Sequence, residues 1–289
     1  MNTTFVFQAL IDGFLIGGVY GLVAIGLTLI FGVMNVINFA HGSLLMLGMY
    51  VTYWSSSLLH IDPYLSIIIT IPVLFIIGML FQKFLLNPII NAPEHNKLLL
   101  CLGVSLFLEN ITLFMWSPNF RVLRTPYEHV YLYFGDISIS LLRLIAFGIA
   151  ILVTIVVFLI LTKSDLGKAI RAASEEPRGA LLMGINIKRI YWVTFGIGAA
   201  CAGISGAAVS PIFPVYPTVG WIFVINAFVV VVLGGLGNVV GAFFAGLIVG
   251  VADSIGSLIF PGSMKSIITF VIFILILLFR PKGLFGRRI

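Results

Sequence analysis

Ten carboxylates, four histidines and two cysteines are the whole supply of acid–base and metal-binding side chains in this 289-residue chain. Their spacing argues against enzyme chemistry. His41, His60, His95 and His129 are scattered, and none pairs with a cysteine or a second histidine at ligand spacing, so no metal is expected. Cys101 and Cys201 both lie in apolar runs and read as small packing residues. The chain contains no G-x-x-x-x-G-K-[ST] phosphate cradle and no H-E-x-x-H, and the nearest approach to a nucleophile elbow is Gly203-Ile204-Ser205-Gly206 in a small-residue run. A non-enzyme without cofactor is the expectation.

What the residue types do suggest is a solute path. Glu109, Asn110, Asn226 and Asp253 fall inside apolar runs, with Asp12 near the end of another. Ionisable groups inside a membrane are costly and face a partner, a cavity or a pathway rather than lipid. Two stretches also break helical continuity. Asn35-Val36-Ile37-Asn38-Phe39-Ala40-His41-Gly42 is one, and Gly234-Gly235-Leu236-Gly237-Asn238 is the other. Such breaks can point a helix N-terminus at an anionic group of a substrate. Asn38, His41, Gly42, Glu109, Asn226 and Asp253 are therefore the candidate path residues.

The elements that must position them are transmembrane helices. Hydrophobic residues make up 61% of the chain and charged residues 9%, with a mean hydropathy of +1.19. Backbone groups cannot stay unpaired in lipid, and uniformly apolar runs of about 20 residues fit helices rather than alternating barrel strands. The expected class is an all-α polytopic bundle of eight or nine spans, forming one unit over residues 1–289. The runs are 9–33, 41–58, 64–86, 97–116, 141–162, 190–212, 221–235, 239–259 and 264–280. Only Leu236, Gly237 and Asn238 separate 221–235 from 239–259, so these two form either one broken element or two. Residues 1–11 lack a basic segment, so no cleavable signal is expected.

Orientation follows from charge. A 26-residue island, 163–188, holds five basic and three acidic side chains between apolar runs. With that island in the cytoplasm and nine crossings, 12 of the 16 basic residues lie inside, and only Arg121, Arg124, Arg143 and Lys265 lie outside. The N-terminus is then external and the C-terminus cytoplasmic. Pro281 is expected to stop the last helix, and Arg280, Lys282, Arg287 and Arg288 to anchor the tail at headgroup level. The net charge of +6 reflects this asymmetry and anionic lipid, not nucleic acid. The longest outer loop, 117–140, reads as a surface loop whose aromatics rest at the membrane interface.

Within the island, Ser174 is expected to cap a short helix with Glu175, Glu176 and Pro177 in its first turn. Ala180, Leu181, Leu182 and Met183 would form its apolar ridge, and Gly184 its stop. A ridge of that kind on a cytosolic helix needs a partner surface.

Four motifs carry a resemblance. V-I-N-F-A-H-G-S-L-L-M-L-G (36–48), A-L-L-M-G-I-N (180–186), G-G-L-G-N-V-V-G-A-F-F-A-G (234–246) and R-P-K-G-L-F-G (280–286) are similar to the integral-membrane permeases of branched-chain amino acid ABC importers, the LivH type. The resemblance spans nearly the whole length. It implies a permease subunit for branched-chain or other hydrophobic amino acids in an inner membrane. It also implies a second permease, two cytoplasmic ATPases and an external substrate-binding protein as partners. It makes the loop 163–190 a coupling segment, with Glu175, Glu176, Arg178, Ala180, Leu181, Leu182, Met183 and Gly184 at the ATPase contact. The chain departs from the E-A-A-x-x-x-G coupling pattern of other ABC importers, since Gly179 and not an acid precedes Ala180. The rival expectation is a gradient-driven secondary transporter with Glu109 or Asp253 as its proton site.

Overall fold

The computed structural model describes residues 3–260, 262–280 and 283–286. Pro281, Lys282, Arg287 and Arg288, expected at the tail anchor, lie outside the described residues. All nine apolar runs are helical. They form α1 (Thr3–Met34), α2 (Ala40–Leu59), α3 (Ile67–Phe81), α4 (Glu94–Trp116), α5 (Leu141–Lys163), α8 (Ile187–Val209), α9 (Gly220–Gly234), α10 (Val239–Ile259) and α11 (Ser266–Phe279). Between α5 and α8 lie α6 (Asp165–Glu175) and α7 (Pro177–Leu182). A π-helical turn at Gln82–Leu86 and a 3-10 turn at Asn87–Ile89 extend α3.

Among the described residues, six helices are long and apolar enough to cross a membrane: α1, α3 with its extension, α4, α5, α8 and α10. The apolar helices α9 and α11 are shorter, at 15 and 14 residues. The pair α9 and α10 is two helices and not one broken element. Gly235 and Gly237 take φ of +90° and +85°, and this left-handed geometry turns the chain in three residues.

The loop 117–140, expected as a surface loop with its aromatics at the interface, carries secondary structure that this expectation did not include. It contains an antiparallel hairpin of β1 (Tyr131–Phe134) and β2 (Ile137–Ser140), with Gly135 at φ +62° in the turn. Alternating Tyr, Leu, Ile and Ser suit a pleated ribbon better than an unpatterned loop. The β1 side chains are all exposed, which suits aromatics at a membrane interface.

Small residues build the core. Without a hydrophobic driving force in lipid, helices associate where side chains let backbones approach. A Cβ on Gly13 would stand 2.7 Å from the Gly250 carbonyl oxygen, and one on Gly17 2.8 Å from that of Gly246. α1 and α10 therefore run antiparallel with their backbones in contact. α8 is buried on most sides, with Gly198 against Ile30 of α1, Gly203 against Leu74 of α3 and Gly206 against Leu45 of α2.

The helix ends fall into two groups. At one end, Gly32 meets Gly237, and Met34 shares a cavity with Arg178 of α7. At the other, Gln8 binds Ser138 of the hairpin, and Arg121 pairs with Val215. The Tyr127 hydroxyl there donates to Asp62 at 2.5 Å. Burial first, then that carboxylate, raises the Tyr127 phenol above its ordinary pKa. We call these the α7 end and the hairpin end.

Candidate functional site

The polar residues of the spans collect into two groups. The first lies toward the hairpin end. Asp253 of α10 accepts a hydrogen bond from the Tyr20 hydroxyl of α1 at 3.4 Å and an ion pair from Lys265 at 3.1 Å. The Ser266 hydroxyl donates to its second oxygen at 3.5 Å. Asn226 of α9 lies near the same Tyr20 side chain, whose ring meets that of Phe223, one turn earlier on α9, at 6.5 Å. Asn226 and Asp253, 27 positions apart, thus meet around a tyrosine the sequence reading did not select.

The same group opens on a cavity of about 350 Å³ whose wall also carries Asp12 and Arg143. Arg143 Nη1 lies 2.6 Å from Asp12 Oδ1, and Gln8 donates to the other oxygen at 3.1 Å. Gln8 in turn holds both backbone groups of Ser138, so the hairpin closes over this wall. The charge asymmetry places Arg143 and Lys265 on the outer side, near the starts of the runs 141–162 and 264–280, and assigns them no partner. Their signal was the match of each to a carboxylate near the same end of a neighbouring span.

The second group surrounds the start of α2. Asn38 Oδ1 accepts from the Ala40 N–H at 3.1 Å, which caps the turn with a side chain. His41 is fully buried, and its Nε2 lies 3.0 Å from the Val23 carbonyl of α1. The Asn38 Nδ2 and His41 Nδ1 atoms are buried without a hydrogen-bond partner. Two residues after His41, Ser43 meets Ser105 of α4 hydroxyl to hydroxyl at 2.8 Å, and Ser105 donates to Glu109 at 3.3 Å. Glu109 therefore joins the α2 group and not Asp253. Asn110 points away from both, exposed, and satisfies itself on the Leu106 carbonyl at 2.7 Å. Gly42 is packed against the Gly220 backbone, and a Cβ there would stand 2.9 Å from Val224 Cβ.

The island folds as two short helices at the α7 end. Ser164 caps α6 by accepting from the Gly167 N–H at 3.0 Å. The cap of α7 corrects the expectation. Glu176 fills it, accepting from the Arg178 N–H at 3.3 Å, while Ser174 sits inside α6 and donates to the Arg171 carbonyl. Pro177 at the first position of α7 forces this, because the residue before a proline is driven out of the helical region. The ridge is also narrower than expected. Ala180 turns inward and is buried, whereas Leu181, Leu182 and Met183 are 62%, 87% and 83% exposed. Gly184, at φ +83°, closes α7, and the Ile185 N–H donates to the Ala180 carbonyl at 3.1 Å. Beside α7 lies a cleft of about 1040 Å³ whose lining includes Arg178, Lys188, Asn87 and Asn91.

At the same end, the segment after α11 closes over the α9–α10 turn. The Leu284 N–H donates to the Leu233 carbonyl at 2.7 Å, and Asn238 donates from Nδ2 to the Phe285 carbonyl at 2.8 Å. Asn238 also caps α10 through the Gly241 N–H at 3.0 Å. The second helical break is thus an ordinary capped turn under a clasp.

A bundle of apolar helices with buried polar groups and an exposed apolar ridge on a charged loop is the anatomy of a transport subunit. The comparisons agree. The family described as "Branched-chain amino acid transport system / permease component" matches residues 9–277. The high-affinity branched-chain amino acid transport system permease protein BraD of Pseudomonas aeruginosa is 32% identical, over 97% of this chain and 95% of its own length. LivH of Escherichia coli is 29% identical over the same shares. A probable LivH from Methanocaldococcus jannaschii is 29% identical over 92% of this chain and 88% of its own. No solved structure matches. The chain is a multi-pass membrane protein that belongs to the permease-component family of branched-chain amino acid transport systems.

Proposed function

We propose that the chain is one permease subunit of an ATP-driven importer for branched-chain or other hydrophobic amino acids. A second permease completes the translocation path, two cytoplasmic ATPases drive it, and an external binding protein delivers the solute. The α7 end faces the cytoplasm and the N-terminus faces outward. The basic asymmetry supports that orientation, and the names of the relatives support the cargo.

The observation that carries the reading is the exposed ridge of α7. Three large apolar side chains in sequence, Leu181 and Leu182 at the end of a six-residue helix and Met183 at its C-cap, stand in a charged loop without cover among the described residues. Glu175, Glu176 and Arg178 flank the ridge and supply the polar rim of a docking surface, with Gly184 ending the helix. ATP-driven closure of the ATPases would reach the bundle as a shift of α6 and α7. The buried polar side chains of Asn38 and His41, and the Ser105–Glu109 pair beside them, support a path along the start of α2, because polar and ionisable groups inside a membrane face a partner, a cavity or a pathway rather than lipid.

Leu182→Asp and Met183→Asp test the docking. Burying an unpaired charge costs roughly 3–5 kcal/mol, or more than a hundredfold in affinity. Co-purification of the ATPases should fail, while the permease itself stays monodisperse. Normal complexes with normal solute-stimulated hydrolysis would refute the assignment.

A further inference from the structure

The cavity at the hairpin end has a composition that no membrane staple requires. Two ion pairs, Asp12–Arg143 and Asp253–Lys265, line one space of about 350 Å³, within the ~300–1,000 Å³ range of small-ligand sites. The pairs also sit at one height. Gly13 lies on Val251 and Gly17 on Leu247, so the same antiparallel register sets Asp253 beside Ile11, one residue from Asp12. The cations are the accessible partners. Arg143 and Lys265 are 36% and 43% exposed, against 26% for Asp12 and 8% for Asp253. Besides Gln8, Tyr20, Ser254 and Ser257, the wall offers apolar side chains, among them Ile16, Phe213 and Leu258.

A pair that only fastens helices gains little, because apolar packing of similar volume serves as well. Charge balance narrows the occupant further. A lone anion or a lone cation entering between the pairs would strip one group of its partner, at a cost of several kcal/mol. A zwitterion would not, since its carboxylate can bridge Arg143 and Lys265 while its ammonium bridges Asp12 and Asp253.

We propose that this cavity is a binding site for an α-amino acid zwitterion with an aliphatic side chain, the two ion pairs exchanging partners with its charges and Ile16, Phe213 and Leu258 receiving its tail. The inference rests on the import reading and assigns to it a station within this chain. A zwitterionic lipid headgroup shares the charge chemistry and is the alternative source of the ligand.

The test uses the permease–ATPase complex without binding protein, in nanodiscs of phosphatidylglycerol, with isotope-labelled leucine as probe. Leucine should bind saturably. Neither 4-methylpentanoate, which lacks the ammonium, nor 3-methylbutylamine, which lacks the carboxylate, should displace it with better than a tenth of leucine's own affinity. The double swap Asp12→Arg with Arg143→Asp preserves a pair but reverses its polarity. It should keep the melting temperature and lose leucine affinity at least tenfold. Lys265→Gln, at the most open position, should lose as much, and it serves if the swap does not assemble. Wild-type affinity in the swap or in Lys265→Gln, equal displacement by either analogue, or no saturable binding would overturn the proposal. Phosphatidylethanolamine nanodiscs should leave leucine binding unchanged. Competition by that lipid, with no leucine bound in its presence, would assign the cavity to headgroups instead. Uptake by the full complex with its binding protein separates the two readings. Wild-type uptake of leucine without binding in this cavity sinks only the site, whereas failure of the wild type to import any amino acid sinks the import reading itself.

Discussion

Gly42 shows how a residue legible in sequence acquires a different weight in three dimensions. A glycine beside a polar break reads as room for a substrate. In the fold a β-carbon at this position would run into the Gly220 backbone, so any side chain meets α9. Gly42→Val should therefore lower the yield and melting temperature of the complex, with an overpacking cost of about 1–3 kcal/mol or more. A fully assembled, stable Gly42→Val that has lost only transport would show that the position borders the path and tolerates bulk. His41→Ala tests its neighbour. It removes the bond to Val23 and leaves that carbonyl without its side-chain donor, for a loss of about 1–3 kcal/mol in thermal or denaturant unfolding. Asn226 and Asp253 were legible as polar residues in apolar runs, but their meeting at Tyr20 was not. That contact depends on which faces α1, α9 and α10 turn to one another, and close glycine packing sets those faces rather than order along the chain.

At the scale of elements, α7 is held by two devices of known cost. Glu176 caps its start and Gly184 ends it in the left-handed region. Glu176→Ala should weaken the cap by about 1 kcal/mol. Gly184→Val should cost about 1–2 kcal/mol, because a β-carbon resists that backbone geometry, although nothing in the surroundings opposes it sterically. Both changes leave the ridge intact. They are therefore expected to reduce solute-stimulated ATP hydrolysis more than ATPase binding, measured side by side in one preparation. Equal loss of both would show that α7 needs its ridge but not its fixed geometry. The helix itself was legible from Pro177 and the apolar run. Its cap lies two residues beyond Ser174, because Pro177 drives Glu176 out of the helical region and puts its carboxylate, not the serine hydroxyl, at the helix start.

At the scale of the molecule, six of the described helices are long and apolar enough to cross a membrane, and the island and the hairpin lie at opposite ends of the bundle. The apolar runs gave the helices to within a few residues, since length and uniform hydropathy leave lipid-spanning helices as the main solution. The small hairpin was not legible, because a four-residue strand carries too little pattern to separate from a loop. Sidedness is open to direct chemistry. In cells, Ser174→Cys should resist an impermeant external thiol reagent, and His129→Cys, whose parent side chain is 89% exposed, should react readily. The native Cys101 and Cys201 are free but buried, so background labelling should be low. External labelling at Ser174→Cys with protection at His129→Cys would reverse the orientation.

The clasp over the α9–α10 turn also sets an order of events in the making of the protein. Leu233 and Leu284, joined by a backbone hydrogen bond, are separated by about fifty residues of synthesis. At roughly 5–20 residues per second, the ribosome delivers the second partner some 3–10 s after the first. During that interval the left-handed turn at Gly235 and Gly237 has its α10 cap but not its cover. The Leu233 carbonyl and the Asn238 amide are then free for water, lipid headgroups or an insertion factor at the membrane surface.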